Sequence, residues 1–321
     1  MSIRYGARTR PGTMVSTWLN SLVSGVVTTG AGYFAGGNSG SIVDTVDKFT
    51  FPNDARSTLA TGLSTATRMQ AGFANSGTAG YFGGGRNGAG STVTTVDKFA
   101  FSNDARSTLG TGLATATDQM GAFANSGTAG YFGGGEASYN RVDEVYKFAF
   151  SDDGRTTLGT GLSSNRGQLC GMANSGTAGY FCGGQWPNAT TVDKFAFSDD
   201  SRTTLGTGLS SCRGMPGAMA NSGTAGYVGG GNTGSRVTTV DKFAFSDDGR
   251  TTLGTGLSAA TDELAGMADS GTAGYFGGGY DSSYSAKVDK FAFSDDGRTT
   301  LATGLSSARK FLGAMADTEG L

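Results

Sequence analysis

The chain of 321 residues contains no histidine, 4 prolines and 3 cysteines. The absence of histidine excludes Ser-His-Asp and Cys-His catalytic centres, zinc sites with imidazole ligands and the usual copper sites. Cys170, Cys182 and Cys212 are odd in number and lack the spacing of metal ligands, so they indicate neither a disulfide framework nor a metal site. We interpret them as small apolar residues in a reducing compartment.

An excess of one charge and long apolar runs are also missing. The 24 basic and 26 acidic residues give a formal charge of -2, which offers no electrostatic footprint for nucleic acid. No run of about 18 apolar residues occurs, so we expect no membrane span. The N-terminal stretch is basic and rich in hydroxyls, without an acidic residue before Asp44. It resembles a transit peptide, whereas its interrupted apolar run makes a poor secretory signal.

Glycine is abundant, with 57 residues, but no Gly-X-Y period accompanies it, so the chain is neither collagen-like nor of low complexity. Instead, the sequence repeats itself six times. A tyrosine opens each glycine run at intervals of 47 to 50 residues, and a Lys-Phe pair and a Leu-X-Thr-Gly-Leu phrase follow each tyrosine. The six tyrosines are Tyr33, Tyr81, Tyr131, Tyr180, Tyr227 and Tyr275.

One repeat unit, read over 217–257, contains four strand signals separated by turns. A small apolar run at 217–220 and the strand 226–230 flank an Asn-Ser-Gly-Thr hairpin turn. The segment 237–246 alternates apolar and polar residues, an Asp-Asp-Gly-Arg turn follows it, and 251–257 is predicted to be the fourth strand. Helical periodicity is lacking.

Four antiparallel strands repeated six times predict an all-β fold, a six-bladed β-propeller of four-stranded blades. A β-solenoid would use shorter coils, and tandem sandwiches would need about 100 residues each. The C-terminal phrase at 313–317 is a seventh copy of the first strand, so we predict that it pairs with the strand of Tyr33 and closes the ring. The propeller would then span 25–321, preceded by an arm at 1–24.

Two phrases occur in the repeats, Gly-Tyr-Phe-Gly-Gly-Gly and Val-Asp-Lys-Phe-Ala-Phe. A leucine follows them, and then Arg166, Arg213 or Arg309. This pattern resembles that of Kelch repeats. Leu205 and its equivalents stand where the Kelch tryptophan lies. The turn at 151–158 is similar to the Asp-box of sialidase-type propellers, where that box is a structural turn. Both resemblances imply a propeller fold, and neither implies an activity.

The arm at 1–24 contains two aromatic residues and three arginines and has no acidic residue. It either docks onto a larger assembly or folds against its own propeller, and the sequence favours neither. The residues that would make the docking contacts are Arg4, Tyr5, Arg8, Arg10 and Trp18.

The six copies differ from one another mainly in two kinds of connection, between the second and third strands and between blades. In a four-stranded meander these connections share one face. That face carries aromatic and polar residues suited to binding a glycan or a protein, although loops also vary without function. We predict a ligand-binding face formed by Tyr139, Asn140, Arg141, Trp186, Asn188, Arg236, Tyr280, Asp281 and Tyr284. The Asp-Asp turns of the opposite face lack calcium-loop spacing, so we interpret them as turn-forming.

Catalysis finds little support, because the four glutamates define no carboxylate pair at a common site. We therefore expect a protein that is not an enzyme and uses no cofactor or metal. Near-identical blades without a signal peptide resemble the propeller proteins of tailed-phage virions. That resemblance implies a protein of the virion that attaches to the host or serves as a tail-fibre or decoration protein. It also implies that the arm binds other virion proteins and that the chain forms a homo-oligomer or part of a larger assembly. The alternative is a cytoplasmic Kelch-type scaffold that binds another protein.

Overall fold

In the computed structural model, residues 30–185 and 189–317 are described. They form an all-β ring of six antiparallel sheets with four strands each, which is a six-bladed β-propeller. No helix occurs in these two ranges. The arm, and with it Arg4, Tyr5, Arg8, Arg10 and Trp18, lies outside the described residues, as do Trp186 and Asn188.

The four strands of each blade run from the ring axis outwards. Inner strands of neighbouring blades contact one another all around the ring. The inner strands are Gly313–Asp317, Ala71–Asn75, Gly121–Asn125, Cys170–Asn174, Gly217–Asn221 and Ala265–Asp269. The second strands are Ala31–Ala35, Ala79–Gly83, Ala129–Gly133, Ala178–Cys182, Ala225–Gly229 and Ala273–Gly277.

The third strands carry the Lys-Phe pairs, and the outer strands are short and exposed. The third strands are Val46–Thr50, Val96–Ala100, Val145–Ala149, Val192–Ala196, Val240–Ala244 and Val288–Ala292. The outer strands are Ala55–Thr58, Ala105–Thr108, Arg155–Thr157, Arg202–Thr204, Arg250–Thr252 and Arg298–Thr300. Two small extra ladders pair Thr67–Arg68 with Arg86–Asn87, and Glu136–Ala137 with Asn140–Arg141.

The predicted closure of the ring is confirmed. Gly313–Asp317 pairs with Ala31–Ala35 along its whole length, with Met315 opposite Tyr33. The C-terminal segment therefore supplies the inner strand of the blade whose other strands come from residues 31–58. Two residues on the blade-to-blade segment before it also reach the first blade, since Arg309 binds Asp47 and the Ser306 hydroxyl donates to the same carboxylate at 2.9 Å.

The fourth strand is shorter than we predicted for 251–257. It ends at Thr252, and the leucine phrase crosses from the outer edge of the blade to the next connection. The backbone still forms hydrogen bonds there, from Leu257 N to Thr238 O at 2.8 Å, and a Cβ on Gly256 would meet that same carbonyl. The phrase is thus a buried crossing, with Leu257 in the core, and its glycine permits close backbone approach.

The hydrophobic core consists of clusters that lie between neighbouring blades. In most of these clusters the phenylalanine of one second strand packs on the glycine that ends the previous second strand, as Phe181 does on Gly133. One interface differs in both partners. Cys182 stands in the glycine position and the smaller Val228 in the phenylalanine position, so the volume of the pair is balanced.

Glycine and alanine alternate around the axis at the second residue of the inner strands. Gly72, Gly171 and Gly266 lie between Ala122, Ala218 and Ala314. A Cβ on Gly72 would lie 2.5 Å from the carbonyl oxygen of Ala314, so an alanine there would collide with the neighbouring backbone. Packing around the axis therefore repeats every two blades rather than every blade.

Candidate ligand-binding face

The two faces of the ring are built by different connections. We call turn face the side with the hairpin turns after the inner strands, such as 75–79, and the turns after the third strands, such as 245–250. We call loop face the side with the loops after the second strands, such as 84–95, and the blade-to-blade connections, such as 109–120. The assignment of connections to faces made from the sequence agrees with this topology.

On the turn face, one aspartate per blade joins that blade to its neighbour. The tyrosine hydroxyl and the lysine Nζ of one blade both donate to the turn aspartate of the next, as Tyr180 and Lys194 do to Asp248 at 2.8 and 2.7 Å. The same tyrosine ring stacks on a phenylalanine of that next blade, Phe245, at 5.4 Å. The six turn aspartates are Asp54, Asp104, Asp153, Asp200, Asp248 and Asp296.

The backbone conformation of these six positions is consistent with the choice of aspartate. Each lies in the left-handed region, at φ of 55° to 57°, which aspartate tolerates better than most residues. Burial, together with the hydrogen bond to an aspartate, raises the pKa of each tyrosine, and that of Tyr227 reaches about 12. Our interpretation as turn-forming residues missed the contact between blades. The signal was available, because the tyrosine, the lysine and the second aspartate are present in all six copies.

Nearer the axis, the hairpin turns of the turn face are joined by a second set of contacts. The side-chain oxygen of Asn125 accepts a hydrogen bond from Gly176 N of the next blade at 2.8 Å, and Ser126 N donates to the Ser175 hydroxyl at 3.1 Å. Asp317 takes the asparagine role for the closing strand, accepting from Gly77 N at 2.6 Å. The closing strand is thus joined to its neighbour by the same kind of contact as the other hairpins.

On the loop face, a ring of backbone hydrogen bonds encircles the axis. Six residues each donate a backbone N–H to the carbonyl of the equivalent residue in the adjacent blade, at 2.7 to 3.0 Å, and the last bond returns to the first residue. They border a cavity of about 130 Å³ whose walls are the inner strands. All have φ between 58° and 61°, and none is glycine: Met69, Gln119, Gln168, Met215, Glu263 and Phe311.

Beneath the loop face, three buried arginines hold the blade-to-blade connections. Arg166 pairs with Asp193 at 2.9 Å, Arg213 with Asp241 at 2.7 Å and Arg309 with Asp47 at 2.9 Å, all fully buried. Burial acts to raise the pKa of Asp47 and of Asp193, but the paired arginine and hydrogen bonds from serine and threonine outweigh it and lower the pKa of both. In the other three connections the arginine position holds threonine.

Tyr139, Asn140 and Arg141 lie together in a small hairpin of the loop face. The Tyr139 side chain is 79% exposed, and the Arg86 guanidinium lies 5.3 Å from its ring centre. Asn140 is exposed and donates to the Ser138 carbonyl. Arg141 forms an ion pair with Glu136, which also binds Arg86. The tyrosine is therefore held above a network of charges.

Arg236, Tyr280 and Tyr284 form a second group, together with Lys310, which the sequence did not single out. The Arg236 guanidinium lies 4.3 Å from the Tyr280 ring centre, and Lys310 Nζ lies 4.7 Å from it and 5.7 Å from that of Tyr284. Asp281 is bound by Lys287 at 2.7 Å. No pattern in the sequence marked Lys310, because its place beside Tyr280 depends on the packing of adjacent blades.

The predicted face therefore divides into two groups. The Tyr139 group lies on the second and third blades and the Tyr280 group on the fifth and sixth, so they stand across the axial cavity from each other. Within the described ranges, no cluster of three or more potential metal ligands occurs and no helix is long and apolar enough to cross a membrane.

No protein-family model matches the chain, and no curated protein matches it.

Proposed function

We propose that the chain is a non-enzymatic attachment protein whose loop face binds a glycan or a protein on a host surface. The observation that supports this is the difference between faces. Contacts on the turn face use the same aspartate in every blade, whereas the side chains of the loop face differ between blades, with Tyr139 beside Arg86 in one group and Tyr280 beside Lys310 in another. Residues that need not recur at every blade interface are free to serve a ligand.

Four carboxylates of the loop face are held in ion pairs, which favours binding over acid-base catalysis at these positions. Asp118 is paired with Arg86 at 2.7 Å and Asp262 with Arg236 at 2.9 Å. Glu263 is paired with Lys310 at 2.8 Å, and Glu136 binds Arg141. Carboxylates held in ion pairs stabilise loop conformations, whereas a general acid or base needs a carboxylate available to a substrate.

The location we propose is a phage-type virion, as a tail-fibre or decoration protein. This rests on the resemblance of the repeats to virion propellers. The arm at 1–24 would bind other virion proteins, and the chain would act as a homo-oligomer or as part of a larger assembly. We propose no nucleic-acid partner, because the chain has no basic excess. The alternative function is a cytoplasmic scaffold for another protein.

A glycan array, combined with binding to intact candidate host cells, tests the proposal. We expect the full chain to bind, and we expect a loop-face variant carrying Tyr139→Ala, Tyr280→Ala and Tyr284→Ala to lose binding. Asp152→Ala, at an exposed position on the turn face, is the control and should bind like the native protein. Stable recovery of one protein partner from cytoplasm, with no glycan or cell binding, would favour the scaffold instead.

A further inference from the structure

The hairpin that carries Tyr139 has an unfavourable backbone conformation. Its two turn residues, Ser138 and Tyr139, have φ of 48° and 67°, the geometry of a turn normally made by Asn-Gly or Gly-Gly. A bulky residue at positive φ is an outlier that local packing must stabilise. The chain has glycine at positive φ in comparable loops, at Gly90 and Gly234, so glycine was an available solution.

Buried charges support this hairpin from below. The Asp118 and Glu136 backbones form two hydrogen bonds with each other, at 2.8 and 3.0 Å. Arg86 binds both carboxylates, and Arg141 also binds Glu136. Burial raises the pKa of Asp118 despite the pairing with Arg86, a sign of the cost of placing charges here. A strained tyrosine on such a base is oriented rigidly and remains open to solvent.

A groove of about 260 Å³ lies beside the tyrosine, between its hairpin and the loop 86–92. Ser91, Thr92 and Ser138 are among the residues that line it. The opposite wall is also fixed, because the Asn87 side chain accepts hydrogen bonds from Ala89 N and Ser91 N. One aromatic residue thus lines the groove together with three hydroxyl-bearing residues, and no leucine, isoleucine, valine or methionine is among the lining residues that the structure describes.

This lining selects among ligand classes. A lipid chain or an apolar peptide would need contacts with large aliphatic residues, which are not among the described residues that line the groove. A phosphate would need an unpaired cation, but the Arg86 guanidinium is bound by Asp118 and Glu136. A neutral sugar presents an apolar C–H face to an aromatic ring and hydroxyls to serine and threonine, and the groove has room for about one ring.

We infer that the groove between the Tyr139 hairpin and the loop 86–92 binds one neutral sugar ring, stacked on Tyr139. This rests on the proposed function and identifies the glycan class and the subsite. Tyr139 supplies the stacking surface, Arg86 orients its ring, and the hydroxyls of Ser91, Thr92 and Ser138 bond to the sugar.

The test is saturation-transfer NMR on the full chain with the methyl glycosides of glucose, galactose, mannose and N-acetylglucosamine, and with sialyllactose as the anionic comparison. We expect transfer to at least one neutral glycoside, at least tenfold weaker affinity in Tyr139→Ala, and retained binding in Tyr139→Phe. Asp152→Ala, on the turn face of the same blade, is the matched control and should bind like the native protein.

Tyr139→Gly separates binding from a structural role. Because glycine relieves the positive φ, this variant should melt at or above the native temperature while losing the sugar. A lower melting temperature with retained affinity would overturn the inference, as would transfer to sialyllactose alone or to none of the probes.

Failure of the inference and failure of the proposed function give different results. If Tyr139→Ala binds normally but Tyr280→Ala with Tyr284→Ala does not, the loop face binds a ligand and our subsite is wrong. If neither the glycan array nor host cells bind the full chain, the proposed function fails and the inference fails with it.

Discussion

The turn face and the loop face differ in how they join the blades. On the turn face every interface uses the same three side chains, a tyrosine, a lysine and an aspartate. On the loop face the backbone ring recurs six times, but the side chains it carries are Met, Gln, Gln, Met, Glu and Phe. Closure of the ring therefore requires recurring contacts at each interface, whereas side chains outside those contacts are free to differ.

The same contrast holds for backbone strain. The turn face places aspartate at positive φ, a residue that accepts this conformation, at Asp248 and its five equivalents. The loop face places Glu263, Phe311 and Tyr139 there, residues that do not favour it. Backbone strain on the loop face therefore occurs at positions where a large side chain stands although glycine would adopt the positive φ more easily.

The largest expected effect tests how much the buried ion pairs beneath the loop face contribute to the stability of the protein. Arg309→Ala should lower the free energy of unfolding by about 3–5 kcal/mol, because it leaves Asp47 as a buried charge without its main partner. Urea denaturation measures it. Arg56→Ala is the control, since Arg56 lies 3.8 Å from the same carboxylate and is partly exposed; it should cost less than about 1 kcal/mol. Equal losses would mean that burial of the pair is unimportant.

A smaller effect is expected within a single turn. Asp248→Ala should cost about 2–4 kcal/mol, because the Tyr180 hydroxyl loses its acceptor and alanine is strained at φ of 57°. Asp247→Ala, at the exposed neighbour that accepts a hydrogen bond from Gly249 N, should cost about 1 kcal/mol or less. Thermal and urea unfolding compare the two. If Asp247→Ala costs more stability than Asp248→Ala, the contact between blades is not the reason why the turn aspartate occurs in every blade.

The core interface between the fourth and fifth blades offers a packing test. Val228→Phe should destabilise by about 1–3 kcal/mol, because Cys182 occupies the space that glycine leaves elsewhere. Cys182→Gly combined with Val228→Phe recreates the pair seen at Gly133 and Phe181 and should recover most of the loss. A double-mutant cycle measures the coupling. Additive losses would show that the two positions do not compensate each other.

The smallest effect is the change that one buried carboxylate makes in how stability depends on pH below about pH 4. Burial favours protonation of Asp193, but Arg166, Ser163 and Thr204 outweigh it and lower the pKa below the usual 3.8. A lowered pKa in the folded state gives stability that is full above 3.8 and is lost as the pH falls through the folded value. Asp193→Asn should therefore weaken the protein at neutral pH and flatten its loss of stability below about pH 4. An unchanged slope would contradict the pairing.

The sequence predicted most of the fold and only part of the site. The six tyrosines, the turns and the extra strand at 313–317 were readable because a repeat exposes its own pattern. The pairing of Arg309 with Asp47 was not, since 262 positions separate them and only closure brings them together. Likewise, Tyr139 and Tyr280 were predicted to share one face, but not to stand across the axial cavity from each other.

The number of blades, the four strands within each and the segment that completes the first blade follow from the amino-acid sequence alone, because local hydrogen bonding and strand alternation leave their period in the chain. Only the tertiary structure decided which side chains meet between blades: the aspartate contacts of the turn face, the balanced Cys182 and Val228, and the strained hairpin beneath Tyr139. Those contacts depend on the distance and angle between sheets, which are fixed only when the ring closes.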